Sequence, residues 1–289
     1  MAVIRQKRKG QKMFCAIQAA TRAGIRENED AVWAQRDFLF VIDGATGLSG
    51  ENYMDPVSDA RWFAGTTARL LRDMLPENGP LPDILRRAME RLRLQWQGPE
   101  EAMPTASIAI WRCRGKHLEL LQLGDCTASA ALRDGSVRVW QEKALAELDR
   151  AALEQMLMHC RETGCSMEEA RNWITPVLRK HRALHNRPGG YWTLDPTGAG
   201  ISRARLAELP AEQCRSVCAW SDGFAQLSQF VPEWDAATLH KRVLDQGAGS
   251  LMDILYEKQE RDRALLAVPR FKLRDDTSVA AAQIEEEQG

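Results

Sequence analysis

Four aspartates stand where short apolar runs end, and they are spread from position 43 to position 275 of a 289-residue chain. FLFVIDG (38–44) carries five apolar residues straight into Asp43 and Gly44. SVCAW (216–220) runs into Ser221, Asp222 and Gly223, and LELLQL (118–123) into Gly124 and Asp125. Near the C-terminus the order is reversed, with Asp275 and Asp276 leading into TSVAAAQI. A carboxylate at the margin of an apolar core is costly to desolvate unless it is paired, hydrogen-bonded or bound to a metal. Turn chemistry accounts for any one of these sites, because Asp bonds its own backbone and Gly accepts a positive φ. Four together point to a shared carboxylate cluster. Such hard oxygen ligands suit Mg²⁺ or Mn²⁺ and suit Zn²⁺ poorly.

Other chemistries have no anchor. The five histidines form no HExxH, and His159, Cys160 and Cys165 lack the spacing of a zinc knuckle. Cys214 and Cys218 are as well explained by a strand edge. There is no GxSxG, no GxxxxGK[ST] and no GxGxxG.

The aspartates need rigid elements to hold them. Phe38 to Ile42 is short, aromatic and β-branched, which predicts a strand buried on both faces. SIAIWRC (107–113) and LELLQL (118–123) read as a hairpin turning at Gly115. Apolar residues recur at helical spacing over 58–75, which Pro76 stops, and over 81–96, ahead of Gly98 and Pro99. Residues 141–162 read as a further helix. Ser166 and Glu169 form a capping box for the next one, which Pro176 kinks or delays. LHNRPGGYWTLDPTGAG (184–200) reads as a loop with an exposed Tyr191-Trp192 pair, either an aromatic plug over the core or a substrate-facing flap. A last helix covers about 249–266, its EKQERDR run forming a solvated face.

Composition narrows the class. A hydrophobic content of 44% supports a sizeable core, and a net charge of -1 gives no electrostatic case for nucleic acid or an anionic membrane. No apolar run approaches the ~20 residues that span a bilayer, and no signal-peptide h-region follows the start. Seven cysteines, an odd number without framework spacing, read as the reduced thiols of a cytoplasmic protein. With no repeat and no low-complexity linker, the reading is a basic tail over 1–12 and one domain over 13–287.

The blocks AGIRENEDAV (23–32), VIDGATG (41–47), PTASIAI (104–110), LGDCTASAAL (123–132), WSDGF (220–224) and DDTSVAAA (275–282) resemble, in order and rough spacing, one family. It is the metal-dependent serine/threonine protein phosphatases, protein phosphatase type 2C, in their bacterial form. No single block is specific; the ordered set, which reaches across nearly the whole chain, is. The resemblance implies an α+β fold, a four-layer α-β-β-α sandwich of two antiparallel sheets flanked by helices. Periodicity alone does not separate that sandwich from other α+β layer arrangements.

The resemblance also implies an activity, the Mg²⁺- or Mn²⁺-dependent hydrolysis of phosphoserine and phosphothreonine in a protein substrate by a water activated between two metal ions. Carried over residue by residue, Asp43 bridges the two ions and Gly44 offers its carbonyl to the second. Asp222 and Asp275 bind the first, with Asp276 taking that role if the register shifts by one. Asp125 helps hold a third, weaker ion. Glu29 and Asp30 support the metals through water, and Arg26 clamps the phosphate. Implied partners are a phosphoprotein and the opposing kinase or its target, with no nucleic acid and no membrane. Two alternatives stay open, a pseudophosphatase that keeps the fold for partner binding and a phosphatase of small phosphomonoesters.

The chain departs from the family pattern in three places. The bacterial form commonly has one more residue between the arginine and the acidic pair than RENED supplies. Ala45 stands where some members carry a histidine proposed as general acid. Ala45-Thr46-Gly47 replaces a more glycine-rich turn. Cys126, beside Asp125, is expected to be structural and not a nucleophile.

Overall fold

A computed structural model describes residues 13–45 and 51–285. The basic tail expected over 1–12, and Thr46 and Gly47 of the altered turn, lie outside the described residues. In chain order the strands are β1 (Phe14–Arg22), β2 (Ala31–Ala34), β3 (Phe38–Ala45), β4 (Thr105–Arg114), β5 (His117–Leu123), β6 (Thr127–Leu132) and β7 (Val137–Trp140). They continue with β8 (Arg205–Pro210), β9 (Cys214–Trp220) and β10 (Thr277–Ile284). The helices are α1 (Asp59–Met74), α2 (Leu81–Arg93), α3 (Ala144–Thr163), α4 (Met167–Arg182), the short α5 (Asp222–Ala225) and α6 (Leu227–Phe230), α7 (Ala236–Gln246) and α8 (Ala248–Arg261).

Two five-stranded sheets form, in the orders β1-β10-β9-β6-β7 and β2-β3-β4-β5-β8. Every pairing is antiparallel. Alternation along β3 shows how the layers stack. Leu39 and Val41 point between the sheets, against Trp111 on β4 and the small residues Ala128, Ala219 and Ala280 of the opposite sheet. Phe38, Phe40 and Ile42 point outward, into a core with Phe63 and Leu71 of α1 and Leu85 of α2. On the far side Trp220 and Val279 pack against Leu239 of α7 and Leu251 of α8. The strand is therefore buried on both faces, as its composition predicts, and the layers run α-β-β-α. Trp111 ties the two sheets by donating its Nε1–H to the carbonyl of Cys218 at 3.1 Å.

The helix readings hold with small changes. Ser58 caps α1, accepting from the Arg61 N–H at 3.2 Å. α2 ends at Arg93, not 96, and α8 at Arg261, not 266, because the Asp262 carboxylate takes the N–H groups of Leu266, Ala267 and Val268 and turns the chain. The capping box is present at Ser166 and Glu169. Pro176 neither delays nor interrupts α4, which runs through it. α3 and α4 pair as a helical hairpin with a small core of its own, built on Ala152, Met156, Ile174 and Leu178.

The Tyr191-Trp192 pair is not exposed. Tyr191 is 4% accessible and Trp192 packs on the α1–α2 core. Mutual Ala106 and Leu194 backbone bonds of 2.8 Å, with the Thr193 hydroxyl donating to the Ala106 carbonyl at 2.7 Å, fasten this loop to β4.

Candidate metal centre

Asp43, Asp125, Asp222 and Asp275 line one cleft of about 260 Å³ at the end of the sandwich, together with Gly44 and Glu29. Asp43 follows Val41 on the inter-sheet face of β3, so it leaves the apolar core at its margin. Gly44 is required beside it, because a Cβ there would lie 2.4 Å from the Glu29 carbonyl oxygen. Asp125 follows Gly124, whose φ of +81° and whose approach to Ser107 both exclude a side chain. Its N–H donates to the Ser107 hydroxyl at 3.0 Å, and Ser107 pairs across β4 with Asp43. Asp222 opens α5 just past β9. That strand end is clamped to β10 by the Ser221 N–H on the Ser278 carbonyl at 3.0 Å and the Ser278 N–H on the Ser221 hydroxyl at 2.9 Å.

Asp275 and Asp276 face different ways. Asp276 turns away from the cleft floor, accepting the Gly24 N–H on Oδ1 at 2.7 Å and the Glu29 N–H on Oδ2 at 2.8 Å. Asp275 faces the cleft. Glu29 also lines it, its carboxylate accepting from the Ser58 hydroxyl. Asp30 lies behind the wall, and neither of its buried carboxylate oxygens has a hydrogen-bond partner.

These carboxylates oppose one another. Burial, then the charge of Asp30, Asp222, Asp125 and Asp275, pushes the Asp43 carboxyl well above the ordinary range. Burial and Asp275 do the same to Asp222, although it reaches solvent through the cleft mouth. Asp30 is pushed up to about 8 by burial and by Asp276 and Asp275; the Ser278 and Ser221 hydroxyls ease its charge without forming a bond to it. Among the described residues, no three His, Cys, Asp or Glu side chains already have their ligand atoms gathered as in a loaded metal site. The donor set nonetheless fits hard divalent cations: mutually repelling carboxylates on one cleft, with Asp30 behind its wall keeping both buried oxygens unpartnered, call for positive charge.

Arg26, expected at the phosphate, is exposed and lines a neighbouring groove of about 920 Å³ that shares Glu29, Arg171 and Lys272 with the cleft. The Asp276 bonds that fix Gly24 and Glu29 hold its loop there. The cleft takes its arginines from the helical hairpin, where Arg171 and Arg182 face Leu145 and Asp149 of α3. Burial and Arg182 lower the pKa of Arg171, which donates to the Thr175 hydroxyl at 3.0 Å. Burial, then Asp125, pushes Asp149 up to about 6, opposed by Arg182 and Arg171. Sequence reasoning missed these residues. Their trace was a helical stripe, Arg171, Ile174, Leu178 and Arg182, visible only to a reading that asks which charges share an apolar face.

Lys272 was also missed; its Nζ stands 2.5 Å from Asp275 Oδ1. Cys126 is fully buried, and burial followed by the charge of Asp43 and Asp125 pushes its thiol well above the ordinary range. Cys160 and Cys165 touch at 3.8 Å, and His159 stacks on Trp173 with ring centroids 4.1 Å apart.

An antiparallel two-sheet sandwich with aspartates converging at one end of it defines a class, and comparison with known proteins gives its family. The chain matches the family model described as Protein phosphatase 2C over residues 26–255 and belongs to that family. The Mycobacterium tuberculosis serine/threonine phosphatase PstP/Ppp is similar in structure, with a TM-score of 0.54 at 16% identity over 95% of this chain and 100% of that one. Stp1 from Staphylococcus aureus gives 0.55 at 12% identity, over 98% and 100%. The catalytic domain of PstP in complex with two manganese ions gives 0.51 at 15% identity, over 93% and 99%. No curated protein matches the chain. Among the described residues no helix is long and apolar enough to cross a membrane.

Proposed function

We propose that the chain is a Mg²⁺- or Mn²⁺-dependent phosphatase of phosphoserine and phosphothreonine in proteins. The observation that carries this reading is the convergence of Asp43, Asp125, Asp222 and Asp275, from four distant chain segments, on one cleft where burial and the neighbouring carboxylates push the Asp43 carboxyl up. Asp43, the Gly44 carbonyl, Asp222 and Asp275 would hold two ions, Asp125 would help hold a third, and Glu29 and Asp30 would support them through water. Bound there, divalent ions supply a nucleophilic water at neutral pH and charge that offsets the phosphoryl oxygens. The manganese ions of the PstP catalytic domain support this choice of metal.

The chain's own residues do the rest. Arg182 and Arg171, on the cleft wall, orient the phosphoryl oxygens, since a guanidinium engages two of them at once. Arg26, in the adjoining groove, meets the flanking substrate chain. Ala45 offers no proton, so the leaving oxygen takes one from water. Tyr191 and Thr193 line the cleft wall, Thr193 fastened to β4 through the Ala106 carbonyl.

The test is phosphate release from phosphothreonine peptide, phosphoserine peptide and p-nitrophenyl phosphate, side by side, with Mn²⁺ and with chelator. The expected result is Mn²⁺-dependent turnover favouring the peptides. Turnover of the small ester alone would replace the protein substrate with a small one. No turnover of any substrate would leave the fold as a binding module.

A further inference from the structure

The carboxylate cluster already touches a cation, and that cation is part of the chain. Lys272 lies three residues before Asp275, outside every block that resembles the family. Its Nζ is 2.5 Å from Asp275 Oδ1, the same oxygen that accepts the Asp276 N–H at 2.9 Å. Its side chain is 53% accessible and borders both the cleft and the groove, so the head can leave Asp275 without disturbing any packed core.

We propose that Lys272 is an internal counter-ion that competes with divalent metal for Asp275. The inference rests on the metal reading given above. With the ammonium on Oδ1 and the Asp276 N–H beside it, an ion that takes this oxygen must displace the amine, because a divalent ion and an ammonium sharing one carboxylate oxygen repel at contact distance. Lys272 thus has two opposed effects. It relieves carboxylate repulsion in the metal-free protein, and it weakens metal binding at the site built on Asp275. Lys272 is a positioning residue in this scheme; the amine touches a ligand, not the reacting atoms. Once displaced, it stays at the cleft mouth, held there by its own backbone.

The test is isothermal titration of metal-free protein with MnCl₂, for the parent, Lys272→Met and Lys272→Gln. Met keeps the apolar stem, Gln keeps a polar head, and the position is not packed in the core, so both variants fold. The expected result is a Kd for one site about five- to tenfold tighter in both variants. In chelator their melting temperature should fall by roughly 2–4 °C, and in saturating Mn²⁺ the deficit should vanish. Saturable binding with parent and variant Kd values within twofold would overturn the role of Lys272 and leave the metal reading standing. An absence of saturable Mn²⁺ binding in parent and variants alike would overturn the metal reading itself, and this inference with it.

Discussion

Asp276 Oδ2 accepts the backbone N–H of Glu29 at 2.8 Å, so the residue just before the last strand holds a loop 247 residues away in sequence. Its Oδ1 takes the Gly24 N–H at 2.7 Å, and the two bonds together fix the segment that delivers Glu29 and Asp30 to the cluster. The pair Asp275-Asp276 therefore divides its labour, one carboxylate in the cleft and one on the scaffold.

Asp276→Ala removes a charged acceptor from two part-buried N–H groups. The expected cost is about 2–4 kcal/mol, with turnover falling as Glu29 and Asp30 lose their anchor. Asp276→Asn, which keeps one acceptor, should recover part of it. Urea unfolding curves check this, and midpoints unchanged from the parent would mean that the loop is held by something else.

His240 sets a pH dependence remote from the cleft. It is fully buried, with Nδ1 2.8 Å from the Ser129 hydroxyl and Nε2 2.8 Å from that of Ser216. Burial, then Lys241, lowers its pKa to about 4. The unfolded chain, titrating near 6.5, binds the proton first, so the contribution is complete above that value and is lost as the pH falls toward 4. Its full size is about 3 kcal/mol. His240→Gln should flatten this limb: the gap in unfolding free energy between parent and variant is expected to shrink steadily from pH 7 to pH 5. A gap that stays constant would show that His240 does not titrate in this window.

What could be read in the sequence follows from where each signal is stored. Strand β3 was legible because Phe38 to Ile42 is apolar on both faces and a carboxylate follows. Strand β1 was not: its FCAIQAATR alternates weakly, and a register shift between Cys15 and Gln18 breaks the period. The short strands β2 and β7 carry mixed, half-exposed residues, as edge strands do. The four cleft aspartates were legible as strand ends, and their recurrence there pointed to a shared cluster. Arg171, Arg182 and Lys272 were not, since their place depends on how a helical hairpin and a turn fold back over the cleft.

Cys126 tests whether a thiol takes part. Its burial and raised pKa keep it protonated and out of reach of a phosphoester. Cys126→Ala is expected to keep most of the turnover at some cost in stability, as a small cavity would impose. A folded, metal-loaded Cys126→Ala protein without activity would require a cysteine mechanism.

The arginines separate two views of the phosphate site. If Arg182 engages phosphoryl oxygens, its loss removes a charge-assisted contact of about 2 kcal/mol, roughly thirtyfold in kcat/KM. Arg182→Ala should show that loss on p-nitrophenyl phosphate and on peptide alike. Arg26→Ala should change the small ester less than about threefold, and the peptide more, because its side chain lies in the groove. The opposite ranking on the small ester would return the phosphate to Arg26.

Asp43 gives the sharpest separation between a metal ligand and a turn residue. Its carboxyl is pushed up by burial and by four neighbouring aspartates, so the metal-free protein carries repulsion that a divalent ion removes. Metal should therefore raise the melting temperature, since a ligand that binds only the folded state contributes about 2.7 kcal/mol at a hundredfold excess over its Kd. Asp43→Asn removes one repelling charge together with the ligand. In chelator the variant is expected to be at least as stable as the parent, while losing turnover and most of the rise produced by Mn²⁺. An aspartate that only closed a turn would behave differently, because its bonds to the backbone would be lost equally with and without metal. Melts of both proteins in the two conditions decide the matter: equal destabilisation in both, with activity retained, would leave the end of β3 as a turn and nothing more.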